Sequence, residues 1–168
     1  QLAHHIINNE IDDTDLFIQY QDINFFPMLN YDVIKNVKTI VNKALEEGYD
    51  TSDIQVLAPM YQGVAGIDAL NDALQDVFNP KDQCLDSYKI GRIEYRIGDK
   101  ILQLKNRVDD NVFNGDIGIL IDICRKDNFE YLQDTLIVDF DGNIVEYTSQ
   151  NFNTITLAYC MSIHKSQG

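Results

Sequence analysis

The chain holds 168 residues, enough for one sizeable core or for a modest core carrying a small inserted module. Its 45% hydrophobic and 24% charged residues are ordinary globular values, and no apolar run approaches the roughly 20 residues of a membrane-spanning helix. A net charge of −14 argues against a broad nucleic-acid or anionic-membrane surface, because phosphate contacts need a basic face. The basic residues are unevenly placed, however. Residues 1–80 hold only Lys35, Lys38 and Lys43, whereas residues 81–107 hold Lys81, Lys89, Arg92, Arg96, Lys100, Lys105 and Arg107, so any DNA contact is expected to be local. Cys84, Cys124 and Cys160 are odd in number and widely spaced, which fits reduced thiols rather than a disulfide framework or a zinc site. His4, His5 and His164 make no metal-ligand spacing, and no metal site is expected. The first residues lack an initiator Met and a signal-peptide pattern, so the chain is expected to continue beyond both ends.

In chain order, Asp12, Asp13 and Asp15 form an acidic cluster that reads as a solvated loop rather than a cation site, followed by a short strand candidate, Leu16-Phe17-Ile18. Val33, Ile34, Val37, Ile40, Val41, Ala44 and Leu45 repeat at 3.6 residues and predict an amphipathic helix, with Asn30 or Asp32 as its cap and Gly48 after its end. Residues 54–58 read as a short buried strand that Pro59 terminates. Ile67, Leu70, Leu74 and Val77 mark a second helix, stopped by Asn79-Pro80. Helix, strand, loop, helix is the pattern of an α/β layer with a parallel sheet.

From about Glu94 the periodicity changes from 3.6 to 2. Residues 97–104 predict a strand reached through Gly98-Asp99, and Ile117, Ile119, Ile121 and Ile123 alternate as in a half-buried strand. Leu136, Val138 and Phe140 alternate again, Asp141-Gly142 reads as a tight hairpin turn, and Val145 and Tyr147 continue beyond it. Short strands without helical pattern predict a small β-barrel at residues 94–152, and residues 154–159 predict a strand returning to the α/β sheet. Helices across residues 117–147 would contradict this expectation.

Three segments could carry chemistry. The loop from Pro59 through Tyr61, Gln62, Gly63 and Gly66 joins a strand end to a helix N-terminus, where α/β sheets place ligands and where free N–H groups favour an anion; a plain connecting loop is the alternative. Asn114-Gly115 is a turn signal before the next strand. The C-terminal run Ser162-Ile163-His164-Lys165-Ser166-Gln167-Gly168 supplies hydrogen-bond donors for phosphate oxygens, or is simply a solvated end. A Ser-His-Lys hydrolase has no GxSxG elbow to support it.

These strings resemble the RecD-like group of superfamily 1 DNA helicases. The C-terminal run is similar to their motif V, and residues 56–63 through Leu70-Asn71 look like the strand-loop-helix upstream of it. Tyr95-Arg96-Ile97-Gly98-Asp99-Lys100, residues 104–106, Val112-Phe113-Asn114-Gly115-Asp116 and Val138-Asp139-Phe140-Asp141-Gly142 are similar to the family's SH3-like insert. Ala3-His4 and Ile7-Asn8 resemble the helix after a glutamine-arginine motif that would precede Gln1. The resemblance implies a motor of two RecA-like domains that steps 5′ to 3′ along single-stranded DNA. It divides the chain into a first part of the second RecA-like domain (1–93), the insert (94–152) and a truncated return to that domain (153–168).

Carried over by matching position, Ser162 and His164 would contact the DNA backbone with Lys165 adding charge. Tyr61, Gln62 and Gly63 would touch phosphates, Asn114 would stand at the opening of the insert, and Gln167 and Gly168 would face the ATP cleft. Ser162 stands where threonine is more usual, and Gln62 where a basic residue is expected, which weakens its phosphate role. No GxxxxGK[ST] occurs in the sequence, so ATP and Mg²⁺ are expected of the longer protein, and this chain alone is expected to be inactive. The expected partners are single-stranded DNA, the N-terminal motor domain and other recombination or repair proteins, in a bacterial cytoplasm near the nucleoid and not at a membrane. The alternatives are a non-catalytic RecA-like and SH3-like protein-interaction scaffold, and a phage or conjugative helicase of the same superfamily.

Overall fold

The computed structural model describes residues 23–126 and 131–163. The acidic cluster at residues 12–15, the strand candidate at 16–18 and the run 164–168 lie outside the described residues. Helix α1, Val33–Glu46, follows the apolar period and buries Val41, with Ile34, Val37 and Leu45 packed beside it. Its C-terminus closes as a Schellman motif: Tyr49 N–H donates to Ala44 O and Gly48 N–H to Leu45 O, with Gly48 at φ +98°. The expected side-chain cap is absent. A 3-10 turn at Asn30–Asp32 runs straight into the helix, so neither Asn30 nor Asp32 is turned to receive its first N–H groups.

Strand β1, Val56–Ala58, leads through a loop to helix α2, Ile67–Phe78. A hairpin follows, β2 at Ser87–Ile90 and β3 at Ile93–Arg96, joined by Gly91-Arg92 with Gly91 at φ +59°. The sequence reading missed this hairpin, because Gly-Arg is not one of the strong turn dipeptides. Strands β4 (Lys100–Gln103), β5 (Ile117–Cys124), β6 (Thr135–Phe140), β7 (Asn143–Tyr147) and β8 (Ile155–Leu157) form an antiparallel sheet in the order β7-β6-β5-β4-β8. Strand β9, Cys160–Ser162, pairs in parallel with β1.

Three expectations need correcting. Gly98-Asp99 is a turn rather than the start of a strand, fixed by Gly98 N–H on Leu120 O at 2.7 Å, and β4 begins only at Lys100. The alternating isoleucines do not face the core: Ile117, Ile119 and Ile121 are exposed, while Gly118 and Leu120 point inward. Gly118 is needed there, since a Cβ would lie 2.8 Å from Val138 Cγ1 and 2.9 Å from Phe140 Cδ1. A bulge at Ile121, between the Leu120–Val138 and Asp122–Ile137 pairs, then turns Ile123 into the core. Finally, residues 154–159 do not rejoin the α/β sheet. Residues 155–157 pair antiparallel with β4, and the return to β1 is made by residues 160–162.

One apolar core runs through the helices and the three sheets, from Val41, Ile67, Leu70 and Leu74 to Tyr159, Leu120, Val138 and Tyr147. Full burial of a side chain such as Leu74 contributes about 1.5–3 kcal/mol. Phe78 of α2 stacks on Tyr159 with ring centroids 5.4 Å apart, which joins the helix to the β8–β9 junction. Among the described residues no helix is long and apolar enough to cross a membrane.

Candidate functional site

The parallel pair brings two distant segments to one edge. Val56 lies opposite Cys160, Leu57 opposite Met161 and Ala58 opposite Ser162, so both strands end together. The loop 59–66 leaves from Ala58 and the C-terminal run leaves from Ser162, at the carboxyl edge where α/β sheets bind ligands. Pro59, which cannot extend the ladder, forces the first exit.

The loop is folded tightly on itself. Ile67 N–H donates to Met60 O at 2.9 Å, Asp68 N–H to Tyr61 O at 3.2 Å, and Gly66 N–H to Gly63 O at 3.1 Å. Gly63 takes φ +106°. A Cβ on Gly66 would lie 2.6 Å from both Gln62 C and Tyr61 O, so this close backbone approach requires glycine. These bonds correct the anion-cradle reading of the helix terminus. The Ile67 and Asp68 N–H groups are taken by the loop, and the Asp68 carboxylate occupies the positive end of the helix dipole. Asp68 in turn holds Arg92, N to O 2.5 Å, which sets a mostly exposed guanidinium beside the loop. What the loop offers outward is Met60, Tyr61 and Val64 side chains with Gln62 and Gly63. The α2 terminus therefore gives its Ile67 and Asp68 N–H groups to its own loop rather than to an anion.

Two buried polar groups hold the edge in place. Asn71 of α2 donates from Nδ2 to Cys160 O at 2.9 Å and accepts Cys160 N–H on Oδ1 at 2.8 Å, clamping the first residue of β9. Asp99, fully buried in the β3–β4 turn, accepts from Arg96 N–H and Gln75 Nε2 on one oxygen, each at 2.7 Å, and from Asn79 Nδ2 and Tyr159 Oη on the other, each at 2.9 Å. Burial raises the Asp99 carboxyl, and these four donors oppose the rise. Asp99 thus ties α2, which starts at the loop, to the antiparallel sheet and to the residue just before β9. Asn71 and Asp99 lay within strings read from the sequence, but their clamping roles depend on partners 89 and 60 residues away.

Of the sequence-derived site residues, Ser162 is buried at the end of β9, beside Ala58, the last residue of the strand that leads into the loop bearing Tyr61, Gln62 and Gly63. Asn114 is exposed on the β4–β5 loop, with its N–H on Asn106 Oδ1 at 2.8 Å. That loop leaves β4 at its Gln103 end, and β8 hands the chain on towards β9 from the Lys100 end, where Ala158 N–H donates to Lys100 O. His164, Lys165, Gln167 and Gly168 lie outside the described residues.

Residues 70–140 match the family described as the ATP-dependent RecD-like DNA helicase SH3 domain. The ATP-dependent RecD2 DNA helicase of Deinococcus radiodurans is 36% identical over 115 residues, 68% of this chain, and the chain spans 14% of the length of that curated relative. Unliganded Pif1 from Bacteroides sp is 20% identical, with 74% of this chain and 46% of that chain covered at a TM-score of 0.41. Bacteroides Pif1 bound to ssDNA is 17% identical, with 86% and 42% covered at a TM-score of 0.41, a similarity too low to establish a common fold over the whole chain. On the match of residues 70–140 and the RecD2 relative together, the chain belongs to the RecD-like DNA helicases.

Proposed function

We propose that the chain is part of an ATP-dependent 5′-to-3′ DNA helicase, in which it binds single-stranded DNA and couples ATP hydrolysis to translocation in recombination and repair. The observation that carries this reading is the Ala58–Ser162 pairing, which puts the start of the loop 59–66 beside Ser162, the first residue of the motif-V-like string. In this reading residues 1–93 and 153–168 belong to a RecA-like domain and residues 94–152 are its SH3-like insert, with β2 and β8 from the flanking segments pairing onto the insert's strands β3 and β4. The backbone N–H groups and hydroxyl of the edge grip DNA phosphates: Tyr61, Gln62, Gly63 and Ser162 from the described residues, with His164 and Lys165 beyond them. Asn114 contacts DNA from the insert. Gln167 and Gly168 reach the ATP cleft, whose phosphate cradle and Mg²⁺ ligands come from the N-terminal motor domain of the longer protein. With a net charge of −14 and its basic residues gathered mainly at 81–107, this chain contributes a fraction of the DNA surface.

The test uses the whole gene product. Its ATP hydrolysis should rise with single-stranded DNA, and it should unwind duplexes bearing a 5′ tail and not a 3′ tail. Lys165→Ala should lower the salt slope of DNA binding by roughly 0.7, the single-strand value for one phosphate contact. ATP hydrolysis indifferent to DNA, with DNA binding unchanged in Lys165→Ala and His164→Ala, would leave the scaffold reading in its place.

A further inference from the structure

We propose that the outer face of the five-stranded sheet docks a segment of another protein that presents apolar side chains on one side and lysine or arginine on the other. The apolar half of this surface is the stripe Ile117, Ile119 and Ile121 along β5, each about two-fifths exposed, with Ile144 of β7 beyond it. Nothing among the described residues covers it. The same side of β4 is covered: Leu102 packs with Ala158 and Met161, and the loop before β1 lies over Lys100. Between that loop and β5 runs a cleft of 610 Å³, lined by Thr51, Ser52, Gln55, Ile117, Ile119 and, across the stripe, Asp139 and Asp141.

The acidic half follows from the register. Lys100, Ile119, Asp139 and Ile144 stand in one cross-strand row. Lys100 is the cation that could answer Asp139, but its ammonium is committed to Thr51 O at 3.0 Å and Ile54 O at 3.2 Å. Asp139 has only the Gly142 N–H, at 2.6 Å, and among the described residues neither Asp139 nor Asp141 forms a salt bridge. Asp122, in the next row, also spends an oxygen on a backbone N–H, that of Ile123. An apolar stripe edged by uncompensated carboxylates selects its occupant. A nucleic-acid backbone would bring phosphates against Asp139 and Asp141. A second copy meeting this face would bring another net charge of −14 against its carboxylates. A segment with isoleucine- or leucine-like side chains and cationic neighbours satisfies both halves.

The experiment titrates the whole gene product into a fluorescein-labelled synthetic amphipathic helical peptide whose leucine stripe is flanked by lysines, at physiological salt, and follows anisotropy. The comparison probes are the same peptide with glutamate for lysine and a labelled single-stranded oligonucleotide. Ile117→Ser with Ile119→Ser changes exposed positions only, and Asp139→Asn with Asp141→Asn keeps the turn acceptor and a residue suited to positive φ. The leucine–lysine peptide should bind, the leucine–glutamate peptide should not, and each double variant should weaken binding roughly tenfold. Equal binding by all variants marks non-specific attraction to an acidic chain and overturns the proposal. So does oligonucleotide displacing the peptide from this face, or sedimentation revealing a dimer that the isoleucine variant abolishes.

Discussion

Tyr159 donates its hydroxyl hydrogen to Asp99 Oδ1 at 2.9 Å, linking the β8–β9 junction to a carboxylate 60 residues earlier. Both groups are buried, so the bond is the junction's polar anchor beneath the Phe78 stack. Removing the hydroxyl in Tyr159→Phe should destabilise the chain by about 1.5–3 kcal/mol, the range for a hydrogen bond to a charged group. The pH dependence has a definite sign. Burial raises the Asp99 carboxyl above its ordinary 3.8, so the folded state holds that proton more tightly than the unfolded chain does. The Asp99 contribution is therefore fully present below the ordinary value and is lost as pH rises through the raised one. Tyr159 favours the ionised form, so the cost of Tyr159→Phe should be larger at pH 7 than at pH 4. Urea titrations of both proteins at the two pH values measure this, and an equal cost at both would refute it.

Asn71 replaces a strand neighbour for Cys160. Asn71→Ala should leave both the Cys160 N–H and C=O buried without their partner, at about 2–4 kcal/mol for the two groups. Asn71→Asp should not rescue it, because a carboxylate keeps the acceptor for the N–H but sets a second oxygen against Cys160 O. Chemical denaturation ranks the three proteins, and wild-type stability of Asn71→Asp would contradict the clamp.

Gly63 and Gly66 are glycines for different reasons, and substitution should separate them. At Gly63 a methyl meets nothing within 4 Å but the φ of +106° is strained, so Gly63→Ala should cost about 1–2 kcal/mol. At Gly66 the backbone angle is ordinary but the methyl meets loop backbone at 2.6 Å, so Gly66→Ala should cost about 1–3 kcal/mol and displace the loop. Amide shifts at Tyr61 and Gln62 should move strongly in Gly66→Ala and weakly in Gly63→Ala. The reverse order would disprove the close approach.

The three thiols should react in a fixed order. Burial pushes the Cys160 thiol up to about 12 and also raises Cys124, whereas Cys84 is partly exposed on a loop. With a disulfide reagent at pH 8, Cys84 should be modified first, and Cys160 only on unfolding. Mass mapping of the labelled peptides gives the order, and early modification of Cys160 would show that β9 opens readily.

Apolar period alone was enough to define α1, α2, β6 and β7, because each of these elements buries one face against a single layer. The Asp141-Gly142 hairpin was equally legible, since both residues take positive φ and turn chemistry is local. Period could not tell which face of β5 is inward. Ile alternates there with Gly118 and Leu120, and only the fit of Gly118 against Val138 and Phe140 sends the isoleucines outward. Nor could it divide residues 155–162 between two sheets, because one extended run serves β4 and then β1, and its partners are far away in sequence. The loop and the Ser162 run were visible as separate strings whose resemblance named the family. Their meeting at one strand edge was decided by tertiary structure: the parallel register of β1 with β9, and the Asn71 clamp that holds it.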